Sequence, residues 1–83
     1  MTTADHVILE RYRDKGLAAG GIRPGYVLRR GAILFLADRH PEVDLAGALD
    51  SLVERELLKA NESGSFYFLT SSGAEKIAEL FGH

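Results

Sequence analysis

Residues 45–73 read LAGALDSLVERELLKANESGSFYFLTSSG, and two periodicities inside this stretch decide the fold. Leu45, Leu49, Leu52 and Val53 recur at i, i+4, i+7 and i+8, the spacing that gathers apolar side chains on one face of an α-helix. A helix over 43–58 follows, with Gly47, Asp50, Ser51 and Glu54 turned away from the core. Leu57-Leu58-Lys59-Ala60 and Phe66-Tyr67-Phe68-Leu69 flank the five-residue tip Asn61-Glu62-Ser63-Gly64-Ser65. Two such runs around a Gly-containing tip read as a β-hairpin. Alternate strand residues point to opposite faces, so one pair of Phe66/Phe68 and Tyr67/Leu69 faces the core, with Tyr67 expected about half exposed. Ser72 and Glu75 have the spacing of a capping box. They open a last helix carrying Ile77, Leu80 and Phe81.

Upstream, Thr3 is the expected N-cap of a first helix over 4–15, with Asp5 in its first turn and Gly16 as its stop. Residues 17–25 form a connector rich in Gly and Pro, which break regular structure. Tyr26-Val27-Leu28 reads as a short strand, followed by a second helix from Arg29 to Arg39 that Pro41 terminates. The centre of that helix is apolar almost all round, the mark of a helix buried on several sides; a buried strand over 32–37 is the competing reading. The order is helix, strand, helix, helix, hairpin, helix. This is a mainly α domain with a small antiparallel β-hairpin (α+β), a single domain over 1–83.

From Leu45 onward the chain resembles the winged helix-turn-helix superfamily, whose members often read Leu-x-x-Leu-x-x-x-Gly-Leu-Leu, a wing, and then Leu-Thr-x-x-Gly. The matching residues are Leu49, Leu52, Leu57 and Leu58, followed by Leu69, Thr70 and Gly73. Glu56 stands where that pattern usually has glycine. The resemblance covers about the last half of the chain and specifies architecture more than function. It implies DNA binding, with the helix over 43–58 in the major groove and the hairpin touching the backbone or minor groove.

The charges qualify that implication. Net charge is −2. Residues 11–39 hold seven basic side chains against Asp14 and Asp38, whereas residues 40–83 hold three against eight acidic ones. Such a split prepares one face for an anionic partner and another for a basic one, unless folding mingles the charges. The outward face of the third helix offers Asp50, Ser51 and Glu54 with Arg55 at its edge, and Glu62 lies at the hairpin tip. Carboxylates can accept from cytosine, but most affinity comes from neutralising phosphates with Lys and Arg. The expected phosphate contacts are therefore Arg23, Arg29, Arg30 and Arg55. The expected function is that of a small DNA-binding, transcription-regulator-like protein. The alternative is a protein-interaction or dimerisation module, in which the acidic helix meets a basic surface and Ile77, Leu80 and Phe81 form a homodimer interface. Fold alone does not separate the two.

Other classes find little support. Eighty-three residues suit one domain with a thin core, and 46% hydrophobic residues are too many for a disordered chain. The absence of cysteine excludes disulfides, thiolate metal sites and cysteine nucleophiles. The start lacks a signal-peptide layout, and the longest apolar run, 32–37, is far short of a membrane span. A soluble, cytoplasmic protein is expected, for which the glycosylation spelling Asn61-Glu62-Ser63 carries no meaning. His6, His40 and His83 are far apart in sequence. The spacings His6/Glu10 and His40-x-Glu42-x-Asp44 read as solvated pairs before they read as metal ligands. Ser71 and Ser72 lack a neighbouring base, and the glycines at 20, 21 and 25 lack the lysine of a phosphate loop. No enzyme activity, cofactor or metal is expected. Tyr26, Phe35, Phe66, Tyr67 and Phe68 are expected in the core, since a stacking surface interleaves aromatics with cations and only Lys59 lies near.

Overall fold

The first helix starts one residue earlier than the pattern predicts. Thr2, not Thr3, is the N-cap: its hydroxyl accepts from the Asp5 N–H at 3.2 Å, and the Asp5 carboxylate accepts from the Thr2 N–H at 3.0 Å. This reciprocal box satisfies two donors that a helix start otherwise leaves orphaned. In the computed structural model, which describes residues 1–82, α1 spans Thr3–Ala18; His83 lies outside the described residues. Gly16 does not stop α1. It is buried within the helix where the connector folds back, and a Cβ there would lie 3.3 Å from Ile22 Cα and from the Gly21 carbonyl oxygen. Close approach of chain to chain, not termination, accounts for this glycine.

The remaining elements are β1 (Val27–Arg29), α2 (Arg30–Leu34), a 3-10 turn (Phe35–Asp38), α3 (Leu45–Glu54), β2 (Leu58–Ala60), β3 (Phe66–Leu69) and α4 (Ser71–Phe81). The expected α+β order holds. The hairpin gains β1 as a third strand, giving an antiparallel sheet in the order β1-β3-β2. The second helix is shorter and less enclosed than expected: it tightens into the 3-10 turn after Leu34, only Ile33 and Leu36 are buried, and Phe35 is 62% exposed. Among the described residues no helix is long and apolar enough to cross a membrane.

The leucine stripe packs inward as its spacing requires. Leu45, Leu49 and Leu52 join Ile8, Leu9, Tyr12, Ile33, Leu58, Leu69 and Ile77 in one core, while Val53 is only partly buried and Ala48 lies beside the stripe. α3 is shorter than the predicted 43–58 because its C-terminus is closed by two crossed bonds. The Glu56 N–H donates to the Val53 carbonyl at 3.0 Å, and the Leu57 N–H to the Leu52 carbonyl at 2.9 Å. This is the Schellman arrangement, which places the residue after the C-cap in the left-handed region. That residue is Glu56, at φ 63°, the position where the sequence pattern leads one to expect glycine. A side chain in this conformation costs about 1–2 kcal/mol, and glycine's greater unfolded-state freedom returns up to about 1 kcal/mol of that. Glu56→Gly is accordingly expected to raise the urea midpoint by an amount corresponding to about 0.5–1 kcal/mol with an unchanged slope; a lowered midpoint would contradict the turn geometry.

The strand alternation resolves in favour of Tyr67 and Leu69 pointing inward. Tyr67 is 4% exposed, not half exposed, whereas Phe66 is 39% exposed and leaves the core. Tyr12, fully enclosed, donates its hydroxyl to the Tyr67 carbonyl at 2.6 Å, and burial pushes its ionisation upward. The last helix is capped by Thr70 rather than by a Ser72/Glu75 box. The Thr70 hydroxyl accepts from the Gly73 N–H at 2.9 Å and donates toward the Glu56 and Leu57 carbonyls at 2.6 and 3.0 Å. One side chain thus ties the start of α4 to the end of α3.

Candidate nucleic-acid interface

The arginines at the β1–α2 junction meet the hairpin because β1 pairs with β3. Their register sets Arg29 opposite Phe66 and Leu28 opposite Tyr67. Arg29 is therefore a strand residue, where the sequence reading began a helix. The Arg30 N–H donates to the Ser65 carbonyl at 2.8 Å. Its guanidinium donates to the Tyr67 hydroxyl at 2.5 Å and stands 6.0 Å from the centre of that ring. Arg30 is thus a clamp between α2 and the hairpin, with part of its surface still open; Arg29 is exposed.

The hairpin tip is organised by Asn61. Its side-chain carbonyl accepts from the Ser65 and Phe66 N–H groups at 2.9 and 3.1 Å, and its amide donates to the Ser63 hydroxyl at 3.1 Å. Ser63 in turn donates to the Ser65 hydroxyl at 2.8 Å. Between this tip and the β1–α2 junction runs an open groove of about 530 Å³, lined by Arg29, Arg30, Gly31, Ala32 and residues 63–66, none of them acidic. Arginines, hydroxyls and exposed backbone are the groups that contact phosphate and sugar oxygens. Ser63 and Ser65 were not singled out from the sequence. Only the β1–β3 pairing brings them beside the arginines, and nothing local to either segment announces it.

The other predicted phosphate contacts do not join this groove. Arg23 is exposed in the connector before Gly25, whose N–H bonds the Leu69 carbonyl at 2.6 Å, at the sheet end remote from the tip. Arg55 is not a free cation. Its guanidinium pairs with the buried Asp5 carboxylate at 3.0 Å, and its Nε donates to the Ser51 carbonyl at 3.3 Å. The outward face of α3 keeps Asp50 and Glu54 exposed, with Ser51 half-buried. Beside it, residues of α3 and the first turn of α1 enclose an open cleft of about 410 Å³ that includes Thr2, Ala4, Val43, Gly47, Ala48 and Ser51.

The proposed dimer residues mostly serve their own chain. Ile77 is fully enclosed, which removes it from any interface, and Leu80 and Phe81 pack partly against the same core. Phe81 meets His6 edge-on at 5.9 Å between ring centres, and the Arg13 guanidinium lies 4.8 Å over its face. Arg13 also reaches Glu10 and Asp14 at 3.8 and 2.9 Å. His40 lies 3.9 Å from Glu42, while Asp44 is occupied as the N-cap of α3, accepting from Gly47. Among the described residues, Arg23, Arg29, Arg39, Lys15 and Lys59 have no carboxylate within ion-pair distance. No protein-family model, curated protein or solved structure matches the chain.

Proposed function

We propose that the chain is a small cytoplasmic winged-helix protein of the transcription-regulator kind that binds DNA by gripping the phosphate backbone beside its wing. In this reading α3 is the recognition helix and the β2–β3 hairpin the wing, and the left-handed Glu56 supports that architecture. The observation that carries the function is the acid-free groove joining Arg29 and Arg30 to Ser63 and Ser65. The outward Asp50 and Glu54 repel a polyanion, so base readout by α3 is weak and binding tolerates many sequences.

A duplex titrated between about 50 and 200 mM salt tests this reading, because each neutralised phosphate contributes about −0.9 to the log–log slope. Arg29→Ala is expected to weaken binding equally on unrelated sequences and to reduce the slope by about 1. An unchanged slope, or no duplex binding at low salt, would sink the proposal. Arg30→Ala is a poorer probe, since it also removes the bond to Tyr67.

A second reading is favoured by the Asp5–Arg55 pair. That pair occupies the cation at the edge of α3 and leaves Asp50 and Glu54 beside the cleft against α1. A protein partner bringing a basic, partly apolar segment suits such a surface, and this reading predicts no duplex binding at any salt concentration.

A further inference from the structure

We infer that the outward face of the three-stranded sheet is a stacking surface for single-stranded nucleic acid. Strand alternation and register carry the inference. Leu28, Leu58, Tyr67 and Leu69 are buried, so Val27, Arg29, Lys59, Phe66 and Phe68 share the opposite face. β3 is the central strand, and it carries both rings. Arg29 lies opposite Phe66, while Phe68 sits between Val27 on one side and Lys59 on the other. Residues directly opposite in an antiparallel ladder have Cβ atoms about 4.5–5.5 Å apart, so each ring has a cation beside it.

This is the interleaving of aromatic and basic side chains that single-strand binders use: rings stack on bases and cations follow the backbone. The sequence alone offered only Lys59 as a partner for the rings; the pairing of β1 with β3 supplies Arg29. Phe66 and Phe68 are two residues apart, about 7 Å along the strand, so each ring can take a base of its own. No carboxylate occupies the five outward positions, and among the described residues neither cation has an ion-pair partner. Ladder stability alone does not explain the arrangement. Phe66 stays 39% exposed opposite a charged residue, which leaves apolar surface in water without a cross-strand apolar partner. The two rings cannot stack on a duplex, because its bases are stacked on one another and present only their edges in the grooves. Arg29 and Phe66 also line the groove at the hairpin tip, so a strand crossing the sheet runs on into it. The inference rests on the nucleic-acid reading above but assigns a different form of ligand.

The test is fluorescence anisotropy of a labelled oligo(dT), beside a duplex of equal length, with the full chain. Phe66→Leu keeps an apolar side chain and removes the ring; it is expected to weaken oligo(dT) binding about tenfold while leaving the thermal midpoint unchanged. Lys59→Ala is expected to reduce the single-strand salt slope by about 0.7. Oligo(dT) affinity that Phe66→Leu leaves intact overturns the inference. So does self-association that Phe66→Leu abolishes in a chain that ignores oligo(dT), since the face then belongs to a second copy. Single-strand binding without duplex binding sinks the backbone-grip reading alone, and the converse result sinks this inference alone.

Discussion

Replacing Gly73 with alanine is expected to remove a substantial share of the protein's stability, about 2–4 kcal/mol. Gly73 is buried in the first turn of α4, and a Cβ built there would lie 2.1 Å from the Leu57 carbonyl oxygen and 2.8 Å from Leu69 Cδ1. The backbone oxygen cannot simply step aside. The Leu57 carbonyl accepts from the Thr70 N–H at 3.2 Å and from its hydroxyl at 3.0 Å, and the Leu57 N–H closes the turn onto Leu52. Admitting a methyl group therefore forces α4 away from the hairpin or opens the turn that ends α3. Overpacking of this kind costs about 1–3 kcal/mol, and each hydrogen bond broken adds about 1 kcal/mol. Alanine's better helix propensity recovers only about 1 kcal/mol. The net loss, about 2–4 kcal/mol with both Thr70 bonds broken, compares with a total stability of roughly 4–12 kcal/mol for a domain of 83 residues. Urea denaturation followed by circular dichroism measures it. Ser72→Ala, an exposed first-turn change, is expected to stay within about 0.5 kcal/mol of the parent. A Gly73→Ala chain with the parent midpoint would show that α4 does not abut Leu57, and the junction described above would be wrong.

The glycine that matters most for folding was visible in the sequence, but only as a letter in a pattern. The leucine spacing of α3, the change to strand residues after Leu57 and the order of elements were all legible, because each is written within a dozen residues. The misreadings are of another kind. Thr2 and Thr70 cap where Thr3 and Ser72 were expected, since neighbouring hydroxyl residues compete for one cap and tertiary contacts choose between them. Thr70 wins because its hydroxyl also reaches Glu56 and Leu57. Gly16 reads as a stop because a glycine's packing role depends on Ile22, a residue beyond the helix end. Phe35 reads as core because an apolar run has no visible outside; the tightening after Leu34 turns it to solvent. The candidate site suffered most. Arg29 is far in sequence from Phe66 but beside it in space, and the Arg55–Asp5 pair joins residues fifty positions apart. Periodicity carries no signal for either contact.

That long-range pair yields the second large effect. Asp5 is 2% exposed and its carboxylate holds Arg55 at 3.0 Å, with the Thr2 N–H as its other partner at 3.0 Å. The two ends of the pair are unequal. Asp5 lies inside, while the Arg55 side chain is 39% exposed. Arg55→Ala leaves a carboxylate in the interior with one donor, and breaking a buried pair in this sense costs about 3–5 kcal/mol; about 3 kcal/mol is expected here because the site lies near the surface. Asp5→Ala returns Arg55 to water and sacrifices mainly the cap, so about 1–2 kcal/mol is expected. The double substitution should regain at least about 1 kcal/mol over the sum of the two losses, and simple additivity would show that the pair is not a functional unit of the fold. The same pair separates structure from function. Asp5→Ala lowers stability, yet it frees a cation at the edge of α3 and removes one negative charge from a chain of net charge −2. If the protein grips phosphates, duplex affinity should rise a few-fold at low salt even as the urea midpoint falls. A substitution that acted only by loosening the fold would move both in the same direction.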